Sequence, residues 1–105
     1  MAKGVIPRPQ ADSEIDEVIS YYSRENAKLA DDFLSEIQRA FRQVANMPGL
    51  GSLRFAHELG MDGLRAYSLE DFPYLLFYFE REDHLDLVRM LHTHRDIFDM
   101  LLGVD

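Results

Sequence analysis

The sequence predicts an α+β domain in which a helix hairpin packs on one face of a small, mainly antiparallel sheet. In the first half, two amphipathic helical patterns are separated only by a short break at Glu25-Asn26. In the second half, residues 74–79 are apolar or aromatic throughout, which is typical of a strand buried on both faces. Because the helices precede a strand meander, the expected order is β-α-α-β-β-β with a short C-terminal helix.

The N-terminal segment is expected to contribute a weak strand and then the first helix. The strand around residues 5–6 is expected at a sheet edge or as irregular structure, because the prolines at positions 7 and 9 lack an amide donor. The first helix is expected at residues 11–24, capped by Asp12 or Ser13. Its apolar stripe has the spacing of one helix face and consists of Ile15, Val18, Ile19 and Tyr22.

The second helix is expected at residues 27–45, with Asn26 as its N-cap. The following Met47-Pro48-Gly49 is expected to end it, because proline cannot continue a helix and Gly49 accepts a left-handed exit. Residues 50–63 are expected to form a loop. The helix hairpin needs an apolar surface to cover, and the later strands supply one.

The second half is expected to fold as a meander of strands at 64–69, 74–79 and 85–91. The charged stretch 80–83 has the composition of a hairpin turn. Residues 95–102 are expected to form one or two helical turns. With the hairpin on one sheet face, the other face is expected to bind something or to remain wet.

Composition restricts the function. With 105 residues, 47% of them hydrophobic, the chain is expected to be one domain spanning residues 1–105. It has no cysteine, so thiolate metal sites and disulfides are excluded, and no apolar run is long enough for a membrane span. The net charge of −8 argues against direct nucleic-acid binding, and the expected location is the cytoplasm.

Four stretches carry a resemblance to a known family. They are the spaced residues Ala11, Glu14, Ile15, Val18 and Tyr21 of the first helix, the helix exit 46–51, the pair Leu64-Arg65, and the hairpin 74–78 followed by the strand 87–96, which reads Leu-Val-Arg-Met-Leu-His-Thr-His-Arg-Asp. In this order and spacing they resemble the RelE/ParE superfamily of bacterial toxins, and among its branches ParE, over residues 11–102.

The resemblance implies a growth-inhibiting toxin that assembles with, and is neutralised by, an antitoxin encoded beside it. ParE-like members act on DNA gyrase as protein-binding inhibitors without a cofactor or metal, which is the leading interpretation here. RelE-like members cleave messenger RNA on the ribosome, so a metal-independent endoribonuclease is the alternative. A third interpretation is a degenerate member that has lost toxicity. Fold alone does not choose among these functions.

An RNA-cleaving site would need a base and several cations on one sheet face. The candidate site residues are Arg65, Arg89, His92, His94 and Arg95, with His92 as base and Arg65 and Arg89 as phosphate ligands; Tyr78 is a weaker candidate. The lysine pair of the RelE type is absent, because the only lysines are Lys3 and Lys28.

Each candidate also has a purely structural interpretation. Arg89 is expected to pair with Asp86, Glu70 or Asp96 if it supports the fold, and Arg65 similarly with an acid. A histidine at a strand end, such as His92, is more often a hydrogen-bonded residue of the fold than a catalyst. His92 and His94 share a strand face, but no third metal ligand is evident nearby.

Overall fold

The computed structural model describes residues 3–104 and has the predicted α+β order. Its elements are β1 (Gly4–Pro7), α1 (Pro9–Glu25), α2 (Ala27–Asn46), a 3₁₀ turn (Pro48–Leu50), α3 (Arg54–Leu59), β2 (Arg65–Ser68), β3 (Tyr74–Glu80), β4 (His84–His92) and α4 (Ile97–Leu101). The helix hairpin, the meander and the short C-terminal helix are therefore confirmed.

The sheet has the strand order β1-β4-β3-β2. Strands β2, β3 and β4 are antiparallel, whereas β1 pairs parallel with β4. The proline-interrupted β1 lies at an edge, as expected, and the apolar β3 and β4 occupy the centre. The register shifts in β3 between Phe77 and Tyr78, since Phe77 pairs with Arg89 and Tyr78 with Leu87. This β-bulge leaves Val88 unpaired and turns the strand locally.

Helix α1 begins at Pro9, so the prediction of a start at residue 11 with an Asp12 or Ser13 cap is wrong. Proline is favourable at the first helical position, where its missing amide has no intrahelical partner. The N-cap position is taken by Arg8, which makes no side-chain cap. Its guanidinium instead forms a bidentate pair with Asp86 in β4, with both distances 2.9 Å.

Helix α2 begins as predicted, because the Asn26 side chain accepts a hydrogen bond from the Lys28 amide at 2.8 Å. It ends at Asn46 before the 3₁₀ turn. The expected left-handed exit at Gly49 is wrong, because the glycines with positive φ within residues 3–104 are Gly60, Gly63 and Gly103. No helix in this part of the chain has both the length and the apolar character needed to cross a membrane.

The hairpin covers one sheet face with a continuous core. Phe33 of α2 lies at its centre and is fully buried, in contact with the rings of Tyr22, Phe72 and Tyr74. The buried members of this core are Ala11, Ile15, Phe33, Ile37, Ala40, Val44, Leu69, Leu76, Tyr78, Leu85, Leu87 and Met90. The amphipathic pattern predicted for the second helix is confirmed by the burial of Ala30, Phe33, Ile37 and Val44, although Leu34 is 41% exposed.

The second sheet face is covered, which corrects the expectation that it stays open. The stretch 50–63, expected as a loop, contains α3, whose Phe55 and Ala56 pack on this face, and Leu101 of α4 packs beside them. A left-handed Gly60 (φ 67°) ends α3. The buried members of this second core are Phe55, Ala56, Leu64, Ala66, Phe77, Phe79, Val88, Leu91, Ile97 and Leu101.

Candidate functional site

Arg89 is held by a carboxylate that the sequence did not indicate. The β-bulge places it where β1 no longer covers the edge of β4, and there it meets Glu14 of α1. Arg89 Nε lies 2.9 Å from Glu14 Oε2, and its Nη2 donates to the same oxygen. The two side chains are 12% and 15% exposed. None of the partners expected from the sequence, Asp86, Glu70 or Asp96, pairs with it.

The pair joins three elements of the fold. Glu14 Oε1 also accepts a hydrogen bond from the backbone amide of Met90 at 3.1 Å. Because β1 pairs with β4 only as far as Leu87, a helix carboxylate here supplies the acceptor for an edge amide of β4. Arg89 Nη1 donates to the carbonyl of Met100 in α4 at 3.0 Å. The guanidinium therefore fixes α1, β4 and α4 relative to one another.

Arg65 and Tyr78 hold the exit of α2 on the sheet. Arg65 Nη1 donates to the carbonyls of Gly51 at 2.8 Å and Gly49 at 3.2 Å, and forms none of the ion pairs considered from the sequence. The Tyr78 hydroxyl donates to Pro48 O at 2.7 Å and accepts from Gly51 N at 3.0 Å. Burial raises the pKa of Tyr78. Both candidates thus bind the backbone of the same segment.

Glycine is required at position 51 by this close approach. A Cβ atom there would lie 2.7 Å from the Tyr78 hydroxyl oxygen and 2.9 Å from Arg65 Cβ. The Tyr78 hydroxyl is fixed by two hydrogen bonds and Arg65 Cβ is attached to the strand backbone, so neither atom can easily move aside. A larger residue at position 51 would therefore displace the chain segment that follows α2. The glycine in the helix-exit motif thus has a packing role.

His92 lies at the end of β4 beside an aromatic ring. Its ring centroid is 5.2 Å from that of Tyr74 and 5.3 Å from that of His94. The His94 amide donates to His92 Nδ1 at 3.0 Å, which leaves Nε2 to carry the proton of a neutral imidazole. Burial raises the pKa of Tyr74 to about 12, so this phenol remains protonated near neutral pH.

The structure brings some candidates together and separates others. His92 and Arg95 border one cleft of about 210 Å³ with Glu14 and Tyr74. Arg65 lies on β2, which β3 separates from β4, so its backbone is about 10 Å from that of Arg89. Within residues 3–104, no group of three or more potential ligands is placed to hold a metal ion.

Other charged side chains also form compact ion pairs. Glu36 of α2 accepts from Arg39 at 2.7 and 2.8 Å and from the Glu70 amide. The bonds from Arg39 are the main reason that the pKa of Glu36 lies below its ordinary value. Asp86 accepts from Arg8 and Arg81, and its pKa is lowered chiefly by Arg8. Of these contacts, the bond from the Glu70 amide to Glu36 and the Arg8–Asp86 pair connect segments that are distant in the sequence.

A larger cleft, which the sequence did not reveal, lies at the β2 edge between α3 and α4. Its volume is about 530 Å³. The sequence did not predict this cleft, because residues 50–63 were expected to form a loop. The spacing of Phe55 and Leu59, followed by Gly60, was a helical signal in that stretch. The lining consists of Ser52, Arg54, Phe55, Ala66, Ser68, Leu75, Thr93, Arg95, Asp96, Ile97 and Phe98. We refer to it as the α3–α4 cleft.

Together these features define a small α+β domain with a helix hairpin over a four-stranded sheet, in which Arg65 and Arg89 bind groups of the protein itself. Residues 5–97 match the family model described as the ParE toxin of the type II toxin–antitoxin system, parDE. The chain therefore belongs to the ParE toxin family of type II toxin–antitoxin systems.

A solved structure is similar in fold. It is described as the chromosomal ParDE TA system from P. aeruginosa and matches with a TM-score of 0.72 at 12% identity, over 89% of this chain and 98% of that chain. At this identity the likeness concerns the fold. No curated protein sequence matches the chain.

Proposed function

We propose that this toxin arrests growth by binding DNA gyrase and that an antitoxin encoded beside it binds and neutralises it. Membership of the ParE family supports a toxin with an antitoxin partner. In this proposal the chain acts in the bacterial cytoplasm as a protein-binding inhibitor, and it forms a hetero-oligomer with the antitoxin.

The arrangement of Arg65 and Arg89 is the observation that favours inhibition by binding over RNA cleavage. A nuclease needs cations free to receive a phosphate as charge develops on it. Arg89 is bound to Glu14 and a carbonyl, and Arg65 is bound to two carbonyls. A phosphate would have to displace the two carbonyls from Arg65, and at Arg89 it would leave the partly buried Glu14 carboxylate unpaired.

The tyrosine, histidine and remaining arginine candidates also favour inhibition by binding over RNA cleavage. Tyr74 and Tyr78 both have raised pKa values, so neither supplies a phenolate near neutral pH. The remaining candidates are His92 at the end of β4 and Arg95 in the turn that follows it, whereas Arg65 lies on β2. The net charge of −8 also opposes the approach of RNA or DNA.

Gyrase supercoiling in vitro tests the proposal. The purified protein should inhibit supercoiling of relaxed plasmid, and prior addition of the purified antitoxin should restore it. In a parallel translation reaction, messenger RNA should remain intact. RNA cleavage that disappears in His92→Ala would instead establish the RelE-like alternative. The absence of any growth effect on expression without antitoxin would indicate a non-toxic member.

A further inference from the structure

The α3–α4 cleft combines an apolar wall with a sheet edge. Phe55 is buried, but Phe98 is 39% exposed, and their ring centroids are 5.9 Å apart. Ala66 and Ser68 of β2 also line the cleft. An inserted apolar side chain would therefore contact two phenyl rings while the chain that carries it passes along β2.

The β2 edge has one open rung at this cleft. Ser52 closes the preceding rung, since it exchanges backbone hydrogen bonds with Ala66 at 2.8 and 2.9 Å. The amide of Glu70 beyond is bound by the Glu36 carboxylate. Along an edge strand, the backbone amide and carbonyl of successive residues point alternately toward the neighbouring strand and away from it. The Leu69 amide points toward β3, where it donates to the Tyr74 carbonyl. The Ser68 amide and carbonyl therefore point away from β3, toward the open edge.

The cleft differs in charge from the rest of this acidic chain. Arg54 and Arg95 both line it, and its single carboxylate, that of Asp96, accepts the Asp99 amide at the start of α4. Within residues 3–104, Arg95 forms no ion pair, and Arg54 reaches Glu58 only at 3.5 Å with both side chains well exposed. A neighbouring cleft of about 410 Å³ between α2 and residues 70–72 contains more acids than arginines.

We propose that the α3–α4 cleft binds an extended segment of the antitoxin, which adds one β-bridge to Ser68 and carries an apolar side chain flanked by carboxylates. The apolar side chain packs against the adjoining rings of Phe55 and Phe98, and the carboxylates face Arg54 and Arg95. Strand addition supplies backbone affinity, and the flanking charges supply specificity. This proposal depends on the proposed function, because it assigns the antitoxin as the occupant.

A polypeptide fits these features better than a nucleic acid. The cleft offers two arginines to a nucleic acid, on a chain whose net charge is −8. Binding of a phosphate backbone gains its free energy from contacts with many cations. An open amide and carbonyl on one residue match the backbone of a peptide, which presents one donor and one acceptor per residue.

Amide hydrogen exchange in the full-length toxin, with and without full-length antitoxin, is the direct test. The Ser68 amide should exchange rapidly in the free toxin and slow by at least about tenfold in the complex, because a new hydrogen bond must open before exchange. The Ala66 amide, already bonded to Ser52, serves as the internal control. Unchanged Ser68 exchange in a saturated complex would overturn the proposal.

Titration calorimetry with variants provides a second test. Arg95→Glu should weaken antitoxin binding by about tenfold or more and reduce its salt dependence, whereas Arg42→Glu, an exposed reversal on α2, should change it less than about twofold. Ser68→Pro removes the edge amide and should weaken binding by about three- to tenfold, whereas Ser68→Ala keeps it and should not. Equal effects of the two charge reversals would contradict the proposal.

The outcomes also separate this inference from the proposed function. If the antitoxin binds and neutralises every variant as it does the wild type, the cleft assignment is wrong and the toxin–antitoxin function stands. If the wild-type toxin does not bind the antitoxin, the proposed function is wrong, and the cleft assignment is wrong with it. If a short RNA competes with the antitoxin and protects Ser68, the cleft is a nucleic-acid site and the peptide proposal is wrong.

Discussion

Replacing Glu14 by alanine should destabilise the domain far more than an ordinary helix-surface substitution. The Glu14 carboxylate accepts hydrogen bonds from the guanidinium of Arg89 and from the backbone amide of Met90. In Glu14→Ala the arginine keeps only its bond to the carbonyl of Met100, and the Met90 amide loses its acceptor. Both losses leave polar groups of the folded state without their partners.

The magnitude follows from the degree of burial. Removing one member of a fully buried ion pair costs about 3–5 kcal/mol, because the remaining charge is desolvated and unpaired. Here Arg89 and Glu14 are 12% and 15% exposed, so water relieves part of that cost. We expect a loss of about 3 kcal/mol in the free energy of unfolding, which is a large part of the roughly 5–15 kcal/mol typical of a folded domain.

Urea denaturation followed by circular dichroism measures this loss. Glu17→Ala is the matched control, because Glu17 is exposed on the same helix, and it should change the free energy of unfolding by less than about 0.5 kcal/mol. Adding Arg89→Met to Glu14→Ala should recover part of the stability, since the unpaired charge is then absent. Equal midpoints for Glu14→Ala and Glu17→Ala would refute the reasoning.

The remaining predictions concern other polar contacts and the second core. Tyr78→Phe should lower the free energy of unfolding by about 1–3 kcal/mol, measured by urea denaturation, because the buried Gly51 amide and the partly buried Pro48 carbonyl lose their partner. The pKa of Glu36 is lowered by Arg39, so its contribution to stability is present above its unfolded pKa and is lost as pH falls through its folded pKa. In thermal melts between pH 6 and about pH 3, Glu36→Gln should therefore lose less stability on acidification than the wild type; parallel acid limbs would contradict this. Leu101→Ala should cost about 2–5 kcal/mol in the same urea assay, because this side chain is fully buried under α4; a cost below about 0.5 kcal/mol would show that α4 contributes little to the second core.

The elements that periodicity predicts well are those whose burial is set by their own pattern. Helix α2 has one apolar stripe and a capping asparagine, and its start is as expected. Strand β3 is apolar on both faces and lies in the sheet centre. The short α3 was missed because a helix of six residues carries only a weak pattern in the sequence, and a helix this short is stable only when another element covers its apolar residues.

The candidate site was predictable in composition but not in arrangement. The sequence singled out Arg65, Arg89, His92 and Arg95 as unusual in or near strands. It could not supply Glu14 as the partner of Arg89, because the two are 75 residues apart and their contact depends on a β-bulge and on the end of β1. Long-range pairing of this kind has no local signal.

By itself, the sequence determined the fold class, the helix hairpin, the central strands and the resemblance to the toxin family, because each depends on local periodicity or on motif order along the chain. Only the tertiary structure decided which arginines are bound internally, that the second sheet face is covered, and that a cleft with arginines remains at the β2 edge. These features depend on which side chains meet across elements, and a hydrogen bond or an ion pair forms only when folding brings its two partners within a few ångströms.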